Sequence, residues 1–132
     1  HQQQVHIVTA GKASSAALAH WQEQGRSVHV LGDQYHVDVH LLVTFLQQQC
    51  YRSVYLMAGP DLLQDLLAGQ YVDRFFMTLS HQLMGGEHYK SLLSGDLLGD
   101  NGHLQLVSLY QDEADCNSLG QWYAEFTFKN KE

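Results

Sequence analysis

The sequence predicts an α/β domain, and three observations lead to that reading. Between Val5 and Ser80, short runs of strand-forming residues alternate with helix-spaced segments. That alternation is the pattern of a mainly parallel central sheet with crossover helices. Each run ends at a small-residue turn: Ala10-Gly11, Gly32-Asp33 and Ala58-Gly59. Beyond Gly102 the pattern changes to two strands joined by a short loop, as in a C-terminal antiparallel strand pair.

Taken in order, Gln2 to Gln4 form a polar lead-in and Val5–Thr9 is the first strand. Ala13, Ala16, Leu18, Ala19 and Trp21 follow near helical spacing, with Ser14 and Ser15 at the start and Gly25 as the stop. Ser27–Leu31 is a second strand. The stretch Val37–Leu46 is β-branched enough for a strand. Leu41, Leu42, Phe45 and Leu46 stand at i, i+1, i+4 and i+5, however, which predicts a helix to about Cys50 with Asp38 at its N-terminus. Val54–Met57 reads as a strand buried on both faces, and Pro60 to about Leu67 as a helix stopped by Gly69. Arg74–Ser80 is the next strand. Glu87–Leu93 is expected to form a short helix, and Gly95–Gly102, with three glycines and two aspartates, a turn-rich connection. His103–Tyr110 alternates polar and apolar residues, and Trp122–Phe128 is the last strand, following a polar loop through Asn117.

The 132 residues amount to a single domain, residues 1–132. With 45% hydrophobic and 16% charged residues, the chain is globular rather than disordered. A formal charge of −7 argues against binding the phosphate backbone of DNA or RNA. No apolar run has membrane-spanning length, so no membrane partner is expected. The two cysteines, Cys50 and Cys116, are far apart and suggest a reducing, cytoplasmic compartment.

The chemistry centres on Ser53–Leu63. Ala58 and Gly59 let the backbone bend and approach a ligand, and Pro60 suits a first helical turn. The N–H groups of Asp61, Leu62 and Leu63 would then point out of the helix start, where an anion can bind. An ordinary strand-to-helix turn is the plainer alternative. His36 and His40 stand at i, i+4 but lack the glutamate of a zinc-protease helix, and His81 and His88 have no metal spacing. No metal site is expected. There is also no nucleophile elbow, no Gly-x-Gly-x-x-Gly and no lysine-bearing phosphate loop.

Three motifs in order resemble the reductase domain of bacterial riboflavin biosynthesis. They are Ser53-Val54-Tyr55-Leu56-Met57-Ala58-Gly59-Pro60-Asp61-Leu62, Leu66-Leu67-Ala68-Gly69-Gln70-Tyr71-Val72-Asp73 and Thr78-Leu79-Ser80-His81-Gln82-Leu83-Met84-Gly85-Gly86. Val37-Asp38-Val39 resembles the family's Val-Asp-Leu. The resemblance implies a dihydrofolate-reductase-like three-layer fold, with NADPH as hydride donor and a phosphoribosylamino-pyrimidine as substrate. It implies that Ala58, Gly59, Pro60, Asp61, Leu62 and Leu63 face the cofactor's pyrophosphate and that Thr9 lies near its adenosine end. Met57 occupies the position of the family's substrate-contacting glutamate, and a thioether cannot replace that carboxylate. Gln82 lies near the place of a family proline. The family's front strands have no counterpart in His1–Thr9, so the chain resembles the C-terminal portion of such a domain, competent for dinucleotide binding rather than for turnover by itself. Two alternatives stand beside this: a dihydrofolate-reductase-like enzyme with another substrate, and a non-catalytic module that forms a homodimer through Trp122–Phe128 as an edge strand.

Overall fold

A computed structural model of the chain describes residues 4–33, 35–88, 91–113 and 120–129. The backbone divides into two compact units, His1–Leu56 and Met57–Glu132, each built on its own sheet. The fold is mixed α/β: a two-stranded parallel sheet and a three-stranded antiparallel one.

The first unit runs β1 (His6–Thr9), α1 (Ser15–Glu23), β2 (Ser27–Val30) and α2 (Val39–Gln48). Strands β1 and β2 pair in parallel, His6 opposite Ser27 and Thr9 opposite Val30. Ser14 caps α1, its hydroxyl accepting from the Ala17 N–H at 3.1 Å. Asp38 caps α2, its carboxylate accepting from His40 and Leu41 at 2.8 and 3.1 Å. The helix predicted over Val37–Leu46 is therefore present, because the apolar i, i+4 stripe and the aspartate cap outweigh the β-branched residues. Its buried residue is Phe45, whose ring lies 5.4 Å from that of His6 and 4.3 Å from that of His29. Gly32, at φ +129°, closes the β2–α2 loop; a side chain there would run into the His36 carbonyl and the Asp38 amide.

The second unit runs α3 (Pro60–Ala68), β3 (Arg74–Ser80), a 3-10 turn (Gly99–Gly102), β4 (Leu104–Asp112) and β5 (Gln121–Phe128). Strand β5 is central, with β3 and β4 antiparallel on either side. The register puts Phe75, Met77 and Leu79 on one face with Trp122, Ala124 and Phe126, and Arg74 on the other with Glu125, to which its guanidinium donates. Val107 sits in a bulge between Leu106 and Ser108. Leu66, Leu67 and Ala124 are buried, the two leucines worth on the order of 2 kcal/mol each. Gln64 is buried beside them because its side-chain amide donates to the Asp96 carbonyl at 2.6 Å. Gly95 makes room for it, since a Cβ there would meet Gln64 Cγ at 2.7 Å.

All three helices end in the same way. After each C-cap, one residue takes a left-handed conformation: Gly25 (φ 72°), Cys50 (φ 60°) and Gln70 (φ 58°). In each case paired 5→2 and 6→1 hydrogen bonds close the turn, as from Gln70 to Leu67 and from Tyr71 to Leu66. Gly69, expected as the stop of α3, is instead its right-handed C-cap, and its missing side chain leaves room for the Tyr71 ring.

Several expectations need correction. Val54–Met57 is not a strand. An apolar run shows a demand for burial, but a strand also needs a neighbour with free backbone groups, and none pairs with it among the described residues. Strand β3 runs antiparallel to β5, because alternation with helices does not set strand direction. Strand β5 is paired on both sides, so Trp122–Phe128 is not an edge. The described residues of 87–93 are not helical. Cys116 and the loop through Asn117 lie outside the described residues.

Candidate functional site

Helix α3 begins without a side-chain cap. Gly59 is the N-cap residue, at φ −71° and ψ 169°, and Pro60 follows as the first helical residue. This φ is open to any residue, so the glycine is not there for a left-handed turn. What it supplies is space: a Cβ at Gly59 would meet nothing within 4 Å. Pro60 has no N–H to offer, and the Leu63 N–H is used by the Gly59 carbonyl at 3.1 Å. Leu63 is thus removed from the expected donors. The amides of Asp61 and Leu62 are left, because the first helical turn has no intrahelical acceptors for them.

The side chains divide by role. Leu62 and Leu63 are half-buried and hold the helix to its unit, whereas Gly59 and Asp61 are exposed. Asp61 lies in the first turn, where its carboxylate favours the helix and opposes an incoming anion. Ala58 is half-buried. The Met57 side chain is almost wholly exposed, at 99%.

Thr9 belongs to the first unit, at the carboxyl end of β1, and its carbonyl accepts from the Leu31 N–H at 2.9 Å. Around this end lies a cluster that the sequence reading missed. Gly11 donates to the Asp33 carbonyl at 2.6 Å. The Lys12 ammonium stands 4.2 Å above the Tyr35 ring and donates to its hydroxyl. The Asp33 carboxylate accepts from the Tyr35 and His36 amides at 2.9 and 3.0 Å. Those bonds, from His36 first and Tyr35 second, hold its carboxyl below the usual carboxylate range. The signal available was Gly11-Lys12 directly after a strand. It was passed over because no known phosphate loop has that spacing.

His36 and His40 do not share a helix face: His40 lies in the first turn of α2, and His36 precedes its cap. Among the described residues, no three His, Cys, Asp or Glu side chains converge as a metal site would require. Among the same residues, no helix is long and apolar enough to cross a membrane. Cys50 is an exposed free thiol.

With α3 starting at Gly59-Pro60 and Thr9 ending a parallel strand, the family comparison becomes decisive. A family model described as the RibD C-terminal domain matches residues 1–117. The chain belongs to the RibD C-terminal domain family. This is the C-terminal, pyrimidine-reductase domain of riboflavin biosynthesis, and its fold is dihydrofolate-reductase-like. Membership places the chain among reductase-like domains of that pathway, in a family linked to NADPH-dependent reductases. No curated protein matches it.

Proposed function

We propose that this RibD-type domain binds NADPH with the dinucleotide's pyrophosphate at the start of α3, and that it serves hydride transfer to a phosphoribosylamino-pyrimidine. The observation behind this reading is the bare helix start: an uncapped Gly59, Pro60 at the first position, and two backbone amides with no intrahelical acceptor. These residues fit a pyrophosphate, since open space at Gly59 allows close approach and the helix dipole favours negative charge. NADPH supplies the hydride. The chain's own residues hold and orient it: Ala58 to Leu62 at the pyrophosphate and Thr9 toward the adenosine end. Leu63 contributes through its half-buried side chain rather than its amide.

The net charge of −7 favours a small-molecule partner over nucleic acid. A free Cys50 suits the cytoplasm. A homodimer would form elsewhere than along β5, since both of its edges are taken. Met57 supports a second reading, a related reductase with a different substrate. Its exposed thioether cannot accept the hydrogen bonds of a ribose or ring amine as a carboxylate does.

Titration calorimetry with NADPH, beside Gly59→Asp, tests the first reading. Saturable binding that the variant loses supports it, and equal binding by both chains refutes the site. Met57→Glu tests the second: a gain of pyrimidine reduction in the intact gene product would count against a different substrate.

A further inference from the structure

The parallel sheet of the first unit is short of a strand, and the same unit holds an unused one. Strands β1 and β2 have four residues each. Parallel strands are stable when flanked and covered, and two alone are marginal. The run Ser53–Leu56 pairs with nothing among the described residues, and its Tyr55 is 91% exposed. We propose that Ser53–Leu56 is the third strand of this sheet, seen here undocked, and that it adds in parallel to the free edge of β1.

The choice of edge follows from chirality. View the strands running upward with Ile7 and Thr9 pointing at the observer. For L-residues, the backbone N–H and C=O groups of those two residues then point right. The Thr9 carbonyl accepts from Leu31, just past β2, so β2 lies to the right. A right-handed β1–α1–β2 connection therefore carries α1 across the near face. His6 points to the far face, as does His29, which stands opposite Val8 in the register. Phe45 of α2 packs on both histidine rings, so α2 crosses the far face. Seen from that side, β1 lies to the right of β2. A right-handed connection through α2 delivers the next strand to the right as well, which is past β1 and onto its free edge. The lengths agree: ten residues of α2 span about 15 Å and four strand residues about 13 Å.

The docked strand would engage particular amides. Ile7 and Thr9 face β2, so the His6 and Val8 amides face the free edge of β1; on β2 it is Val28 and Val30 that face outward. Amide hydrogen exchange by NMR on the whole chain, compared with Tyr55→Pro, tests this. Docking makes His6 and Val8 at least tenfold slower in the parent chain than in the variant, with Val28 and Val30 unchanged. Equal rates at His6 and Val8 would overturn the proposal, and so would a difference that falls on Val28 and Val30. If Tyr55→Pro fails to fold, replacing Val54, Tyr55 and Leu56 by glycine keeps the donors while weakening the strand, and the same amides are read with a smaller expected difference. No nucleotide enters the experiment, so its outcome is separate from NADPH binding.

Discussion

Helices α1 and α3 each begin just after a small-residue turn, yet their first turns are finished in opposite ways. At α1 the Ser14 hydroxyl takes up one orphan amide, and Lys12 leaves a positive charge nearby on Tyr35. At α3 no side chain caps the helix, and the nearby charge is the carboxylate of Asp61. A capped start is stable as it stands. An uncapped one leaves its donors for water or a ligand, which is why the anion site is assigned to α3 although the cation stands at α1.

The comparison can be broken most directly at Gly59. Gly59→Asp should lower NADPH affinity by at least roughly tenfold through repulsion at the helix start. It should also raise helix stability by a few tenths of a kcal/mol, because aspartate is a better cap than glycine. Binding and thermal unfolding must move in opposite directions, and a variant that loses both would point to misfolding instead. At α1, Ser14→Ala should cost about 1 kcal/mol, roughly 4 °C in Tm, and leave the NADPH titration as it was. A loss of affinity there would move the site to the first unit.

Smaller effects sharpen the contrast. Asp61→Asn removes the charge that competes with an anion, so NADPH should bind about three- to fivefold tighter, with the gain shrinking as salt is added. Asp33 braces the α1 side through its loop, and its carboxyl is held low by backbone amides. The sign follows: its contribution is present above the ordinary carboxylate range near pH 4 and is lost as pH falls through the lowered value. Asp33→Asn should therefore flatten the acid limb of a denaturation profile taken between pH 6 and pH 2. Smallest of all, Gln70→Gly relieves a left-handed non-glycine residue after α3 and should stabilise by a few tenths of a kcal/mol, read as a shift in denaturant midpoint.

Much of the secondary structure was legible because it rests on local signals. Strand β3 falls on the residues expected, Arg74–Ser80, and α2 and α3 start where Asp38 and Gly59-Pro60 place them. The candidate site was legible for the same reason, as a helix start is written in a few adjacent residues. The errors fall on non-local features. The Leu63 amide is consumed by a carbonyl four residues back, and the Lys12–Tyr35 contact joins residues 23 positions apart. Gly69 and Gln70 exchanged expected roles because the Tyr71 ring needs the space beside Gly69. Sequence alone does not show which neighbour fills that space.

By itself, the sequence determined the α/β class, the helix caps, the motifs shared with the RibD C-terminal family, and an acidic chain ill suited to nucleic acid. These depend on dihedral preferences, hydrogen bonds within one turn, and charge, all of which act over a few residues. Only the tertiary structure decided that β5 lies between β3 and β4, that β3 runs antiparallel, and that Ser53–Leu56 stands outside the sheets. Strand pairing spends backbone donors and acceptors between distant segments, and any run with the right apolar pattern can compete for them. The choice among competitors is made by the free energy of the whole assembly rather than by the residues of one strand.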